Sequence, residues 1–322
     1  MLFADARQAI SARRRHAAAN CRNQVAAPGA GGGGALMLQT AFNGFVTGII
    51  VTLPALAITL LFGVLKFPNF AVGAMMTLAA YMVFALNVQL GWPLMVATAA
   101  GAVAFGGLLI VVDHLTFKPL RERGSITLMV ASLGLGFVLE NIARLAYGNS
   151  ARSFAIELAR PFRFLDIRMN REQMIIIAVS TVAMLAMYVL LTRMPIGRAM
   201  RAVADNPALA LVRGIESPRI IRWTWFIAGL LLAVGGVLIG MDRALEPPMG
   251  SSYVIAVFAA AILGGLGSPL GAFVGALIIG MVSELSTLVI PPNYRIGIPL
   301  CVIALILIFR PQGLFGQPYI RK

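Results

Sequence analysis

Apolar runs of about twenty residues recur along this chain, among them MIIIAVSTVAMLAMYVLL at 174–191 and WTWFIAGLLLAVGGVLIG at 223–240. One such run is the length of an α-helix crossing a hydrocarbon layer about 30 Å thick. Water offers it no equivalent partner. Only 12% of residues are charged and 59% are hydrophobic, and the mean hydropathy is +0.88. Soluble domains carry about a quarter charged residues, too many for a chain like this to match. In lipid each backbone group must be satisfied within its own segment, which selects helices. A β-barrel would instead alternate in stretches of about ten residues.

The reading is all-α: a polytopic helical membrane protein with about 8–10 transmembrane segments. They are expected at about 38–65, 70–90, 93–112, 126–147, 173–192, 223–241, 253–264, 270–290 and 296–309. Pro54 predicts a kink or interruption in the first. The seventh is too short to cross and ends in GGLGSPLG, so a broken or re-entrant segment is expected near 264–270.

The net charge of +14 comes from Lys and Arg in short loops, where they set topology. No basic patch interleaved with aromatics points to nucleic acid. KPLRERGS (118–125), the 193–222 segment with its six arginines, and the ending RPQGLFGQPYIRK are therefore assigned to the cytoplasm. The 148–172 loop then lies outside, its five arginines offset by Glu157, Asp166 and Glu172. Three segments precede KPLRERGS, which puts the start of the first span outside too. Residues 1–36, Arg-rich and then glycine-rich, read as a disordered basic extension, with Met37 as a candidate true start. Residues 37–322 read as one transmembrane domain, with 193–222 as a cytoplasmic segment within it. Cys21 and Cys301 form no metal or disulfide pattern, and Cys301 is expected to be a buried small hydrophobe.

Between two apolar runs stands RAVADNPALALVRGIE (201–216). Asn206 is a helix N-cap, Pro207 occupies the first helical position, and Gly214 can end the helix in a left-handed conformation. With GRAMRAVAD upstream this reads as helix, turn, helix, presenting Ala208, Leu209, Leu211 and Val212. On the residues alone, a docking element and an ordinary helical connection are both open.

G-R-A-M-R-A-V-A-D-N-P-A-L-A-L-V-R-G-I (197–215) resembles the cytoplasmic coupling segment of the branched-chain amino acid permease family of ABC importers. Residues 42–81 resemble that family's N-terminal signature, 259–284 its glycine-rich signature, and LILIFRPQGLFG (305–316) its C-terminal ending. One position departs: Val72 stands where the family carries a histidine. The resemblance implies a permease subunit on the bacterial inner membrane, moving branched-chain amino acids or a related small polar solute such as urea or an amide. A second permease subunit, two cytoplasmic ATPase subunits and a periplasmic binding protein would be its partners. ATP would be bound by those partners, with no cofactor in this chain. Coupling would fall to Arg201, Ala202, Asn206, Pro207, Ala208, Leu209 and Gly214. Asn69, in the Asn-Phe-Ala of the first signature, joins the pathway candidates.

The chain has no G-x-x-x-x-G-K-[ST], so P-loop ATP hydrolysis is not its own task. GFVTG (44–48), GVLIG (236–240) and GAFVG (271–275) read as close-packing notches. Gly264, Gly265, Gly267 and Ser268 are pathway candidates, because unwound backbone is where transporters hold polar solutes. Glu284 is a further candidate as an ionisable group within a span, and Glu140 and Arg144 are spaced to pair. The alternative function is an ion-coupled secondary transporter needing no ATPase, with Glu284 or that pair as its coupling site.

Overall fold

The computed structural model describes residues 33–155, 162–164, 167–291, 294–310 and 312–315. Met1–Gln39 and Thr40–Lys322 form separate compact units. Of the first, only the opening turns of a helix are described. Residues 1–32 of the basic extension, Cys21 among them, and Glu157 and Asp166 lie outside the described residues, while 33–36 open α1.

The helices are α1 (Gly33–Leu65), α2 (Val72–Phe84), α3 (Leu94–Val112), α4 (Ser125–Tyr147), α5 (Arg171–Arg193), α6 (Pro195–Asp205), α7 (Pro207–Val212), α8 (Ser217–Asp242), α9 (Met249–Gly264), α10 (Pro269–Leu285) and α11 (Gly297–Phe309). α2 and α3 each continue through a wider helical turn, Ala85–Gln89 and Asp113–Phe117. Among the described residues seven helical stretches are long and apolar enough to cross a membrane, and α9 and α11 are shorter apolar helices. These nine correspond to the nine expected segments. Strands β1 (Phe162–Phe164) and β2 (Ile167–Met169) pair antiparallel, with Phe162 opposite Met169, and are the extended pair among the described residues.

The expected interruption at Pro54 does not occur. α1 runs unbroken through it, and the proline ring fits a notch in α8: a Cβ on Gly235 would stand 2.9 Å from its ring carbons. Cys301 is exposed rather than buried, because it lies on the outward face of α11.

The middle of the bundle is α1 and α8, whose apolar windows are 78% and 83% buried, against 22% for α4 and α5. Two helices that apolar and that uncovered must meet lipid or another subunit. The glycine notches act as the sequence suggests. A Cβ on Gly44 or Gly48 would fall 2.9 or 2.8 Å from backbone of α10, at Met281 and Leu277.

Contacts between loops sort the two ends of the bundle. Phe67 packs on Phe117, and Phe117 stacks on Trp225, with ring centroids 5.5 and 5.1 Å apart. Leu314 and Phe315 donate backbone N–H to the Leu263 and Gly264 carbonyls at 2.8 and 3.1 Å. The turn 265–268 therefore shares the side of the C-terminal stretch. At the other end Arg152 and Leu245 exchange backbone hydrogen bonds of 2.9 and 2.8 Å, and Asn87 Oδ1 accepts from the Ala155 N–H at 3.1 Å.

Two connections dip into the bundle. The Phe70 N–H donates to Ser132 Oγ at 3.0 Å, and Ala71 packs on Gly136. Ser132 and Gly136 lie roughly 10 and 16 Å along α4 at 1.5 Å per residue. Ser251, in the first turn of α9, donates to Glu140 Oε2 at 2.7 Å, about 22 Å along α4. So α9 starts level with a point about 10 Å short of the far end of α4, a candidate span, and is correspondingly short. Its first turn meets that of α2: the Gly250 N–H donates to Thr77 Oγ1 at 2.9 Å, and a Cβ on Gly73 would be 2.6 Å from the Gly250 carbonyl oxygen.

Gly48→Leu should wedge α1 from α10 and cost about 1–3 kcal/mol, as overpacking does. The check is the melting temperature of the detergent-solubilised protein. Gly107→Leu, where a Cβ meets nothing within 4 Å, should leave it unchanged.

Candidate functional site

The segment between α5 and α8 is built as a rigid bracket. α6 turns back under α5, and a Cβ on Gly197 would strike the α5 backbone at Leu190 and Leu191. Met200 and Val203 face the protein and are buried. Arg201 lies on the exposed face, with Ala202 half-buried beside it.

Asn206 then breaks the helix with an extended backbone, and its Oδ1 accepts from the Ala208 and Leu209 N–H groups, both at 3.0 Å. Pro207 takes the first helical position, where its missing N–H leaves nothing unpaired. At the far end Gly214 has φ +78°. The Ile215 N–H donates to the Ala210 carbonyl and the Gly214 N–H to that of Leu211, both at 2.9 Å. This paired closure satisfies the last carbonyls of the helix. A six-residue helix is too short to be stable by itself. Capped at both ends, it holds.

Ala210 is the one residue of α7 that faces the protein, at 3% exposure, while Leu209, Leu211 and Val212 stand 59%, 62% and 82% exposed. Three large apolar side chains thus stand out as a knob on a short, charged connection.

Behind the bracket is a cavity of about 370 Å³, walled by α1, α5, α6 and the start of α10. Arg201 and Ala204 of the bracket line it, with Thr59, Gly267 and Ser268. Thr59 Oγ1 is buried without a partner among the described residues. The chain does break between α9 and α10: Gly265 and Gly267 have φ of +99° and +96°, and Ser268 caps α10 by accepting from the Gly271 N–H at 3.2 Å. Gly264 packs against Gly271 and does not line this cavity.

The remaining candidates lie elsewhere. Asn69 is 2% exposed. Its Oδ1 accepts from the Ala71 N–H at 3.0 Å, and its Nδ2 has no partner among the described residues. Val72, beside it, is buried in the first turn of α2. Glu284 is tied by an ion pair to Arg295 and accepts from Thr47 Oγ1 at 2.9 Å. Arg295, eleven residues away across an irregular connection, is a partner that helical spacing could not reveal. A second cavity, of about 230 Å³, lies beside this group, with Thr47, Arg243, Tyr253, Ser283 and Arg295 in its wall. Glu140 and Arg144 pair at 2.6 Å. Asp113 is buried and paired with Arg121. Among the described residues no cluster of three metal-ligating side chains occurs.

Comparison with known proteins finds a family model described as "Branched-chain amino acid transport system / permease component", matching residues 40–308. A high-affinity branched-chain amino acid transport system permease protein, LivH of Escherichia coli K12, is 28% identical over 305 residues, covering 88% of this chain and 97% of that one. The corresponding protein BraD of Pseudomonas aeruginosa is 29% identical over 299 residues with the same coverage. The ribose import permease protein RbsC of Bacillus subtilis is 34% identical over 109 residues, covering 32% of this chain and 34% of that one.

Asn206→Ala removes the acceptor for two N–H groups and should destabilise α7 by about 1 kcal/mol. Amide exchange over 207–212 should speed up roughly fivefold while α8 is unaffected. Arg295→Leu leaves Glu284 unpaired in a partly buried place, so it should lower the melting temperature more than the double variant Glu284→Leu/Arg295→Leu does.

Proposed function

We propose, for a chain that belongs to the family of branched-chain amino acid transport system permease components, that the bracket 193–222 is the point where a separate motor grips it. The chain is a multi-pass membrane protein and a permease component of a transport system. Within that frame it is the membrane subunit of an ABC importer on the bacterial inner membrane. It moves branched-chain amino acids, or a related small polar solute such as urea or an amide, inward by alternating access. The related proteins of known description are transport system permeases over nearly their whole length, which gives the ion-coupled alternative no support.

A second permease subunit, identical or homologous, would complete the pathway, two cytoplasmic ATPase subunits would bind ATP, and a periplasmic binding protein would deliver solute. The six arginines of 193–222 put the bracket on the cytoplasmic side by the positive-inside rule. The observation that carries the reading is the α7 knob. Leu209, Leu211 and Val212 stand out on a helix fixed at both ends, and the same rigid unit presents Arg201 and Ala204 to the cavity. Closure of the ATPase subunits would push α7, and α6 would pass the displacement to α5, α8 and the cavity wall. Gly267 and Ser268 line that wall and would border the solute's route on this side. Asn69, with a spare amide inside the bundle, Glu284, and the Gly264–Gly265 turn that sets Gly267 would shape the route indirectly.

A charge on the knob tests this. Leu209→Asp should abolish co-purification of the ATPase subunits and ATP-driven uptake in proteoliposomes, while the protein still elutes as a folded peak. Uptake at the wild-type rate would remove the coupling assignment. Uptake by the wild-type chain alone under an ion gradient would remove the ABC reading altogether.

A further inference from the structure

The pair Glu140–Arg144 sits within a membrane span, on an open edge of its last third. Glu140 lies about 22 Å along α4 and about 10 Å short of its far end at 1.5 Å per residue. α4 is among the least covered helices of the protomer, and around the pair Phe137, Val138 and Leu145 are 68%, 55% and 90% exposed. The Arg144 side chain is itself 39% exposed, that of Glu140 15%. Charges within a span face a subunit interior or a watery path, not lipid. Something polar therefore meets this edge of α4.

What surrounds the pair narrows the choice. Ser251 donates to Glu140 Oε2 at 2.7 Å while Arg144 holds Oε1 at 2.6 Å. Ser251 and Ser252 are exposed, and they form the first turn of α9, the helix that begins inside the membrane thickness. Arg144 Nε is buried and has no acceptor among the described residues. At one depth, then, stand a carboxylate, a guanidinium with spare donors, two hydroxyls and the positive end of a sixteen-residue helix. Transporters use helix starts at this depth against carboxylates.

We propose that Glu140, Arg144 and Ser251 form a station on the transport path that reads both charges of a zwitterionic α-amino acid. Glu140 faces the ammonium, and Arg144, with the α9 terminus, faces the carboxylate. The apolar residues flanking them on α4 accept an aliphatic side chain. This rests on the transport reading above and names the solute class from the chain's own side chains. It sets an amino acid apart from urea or an amide, which carry no such pair of charges.

The test uses the full importer, with binding protein and ATPase subunits, in proteoliposomes loaded with ATP and given labelled leucine. Glu140→Gln/Arg144→Gln removes both charges; the first change keeps the shape and the second shortens the side chain while leaving a polar amide. Uptake at saturating binding protein should fall about tenfold or more, the usual scale for losing charged hydrogen bonds, with subunit co-purification and basal ATP hydrolysis within about twofold of wild type. Ser251→Ala should give a smaller loss in the same direction. Unchanged uptake in the double variant overturns the proposal. So does loss of the second permease subunit on purification, which would make the pair a static joint between protomers. If the wild-type importer moves no leucine, the branched-chain reading fails first and this station with it. If it moves leucine and the double variant does too, only the station fails.

Discussion

Lipid cannot hydrogen-bond, and the shape of this chain follows from that restriction. A backbone N–H or carbonyl left open in hydrocarbon costs several kcal/mol. Helices remove most of the problem segment by segment. What remains are the places where helices start or stop inside the bundle, and three of these are closed by a specific side chain. Ser132 accepts from the Phe70 N–H, Asn69 from that of Ala71, and Thr77 from that of Gly250. These three small polar residues are buried among apolar neighbours. They let α2 and α9 begin at depth, and two helix starts at depth are what make room for polar chemistry there.

Charge obeys the same rule. Three carboxylates of the apolar spans are held by arginines: Asp113 by Arg121, Glu140 by Arg144, and Glu284 by Arg295. The three pairs are not equivalent. The first closes an end of α3 and the second lies on an open edge. The third joins α10 to residues beyond it and, through Thr47, to α1. The second has the most exposed arginine of the three, Arg144 at 39% against 25% for Arg121 and 23% for Arg295, and it stands on a lightly covered helix.

Much of this was legible before any coordinates. The nine segments follow from hydropathy, because a span must be long, apolar and continuous. The bracket follows from Asn206, Pro207 and Gly214, three residues whose local chemistry leaves few conformations open. Contacts across the bundle were not legible. Pro54 reads as a kink or a break, and the Gly235 notch on another helix shows where its ring is housed in an α1 that does not break. Arg295 is invisible as the partner of Glu284 without the fold. Cys301 reads as buried because its segment is apolar, but α11 is so lightly covered that apolar and buried part company. In lipid, hydropathy reports what a residue may touch, not which way it points.

The bracket and the short α9 then become parts of one geometry. α6 is locked to α5 through Gly197, and α7 leads directly into α8, the most buried helix of the bundle. A push on Leu209 cannot be absorbed locally, because both ends of α7 are capped and the α6 backbone already touches that of α5. Under the proposed coupling it would pass to α5 and α8, the two helices that the bracket joins. α5 is only lightly covered and bounds the larger cavity with Tyr188 and Leu191, so it is the member with room to move. α8 is fixed by close backbone contacts on both sides, Gly229 to Gly106 of α3 and Gly236 to Met76 of α2. The expected motion is therefore asymmetric: α8 serves as the fixed post, and α5 swings, opening or closing the space in front of Thr59 and Ser268.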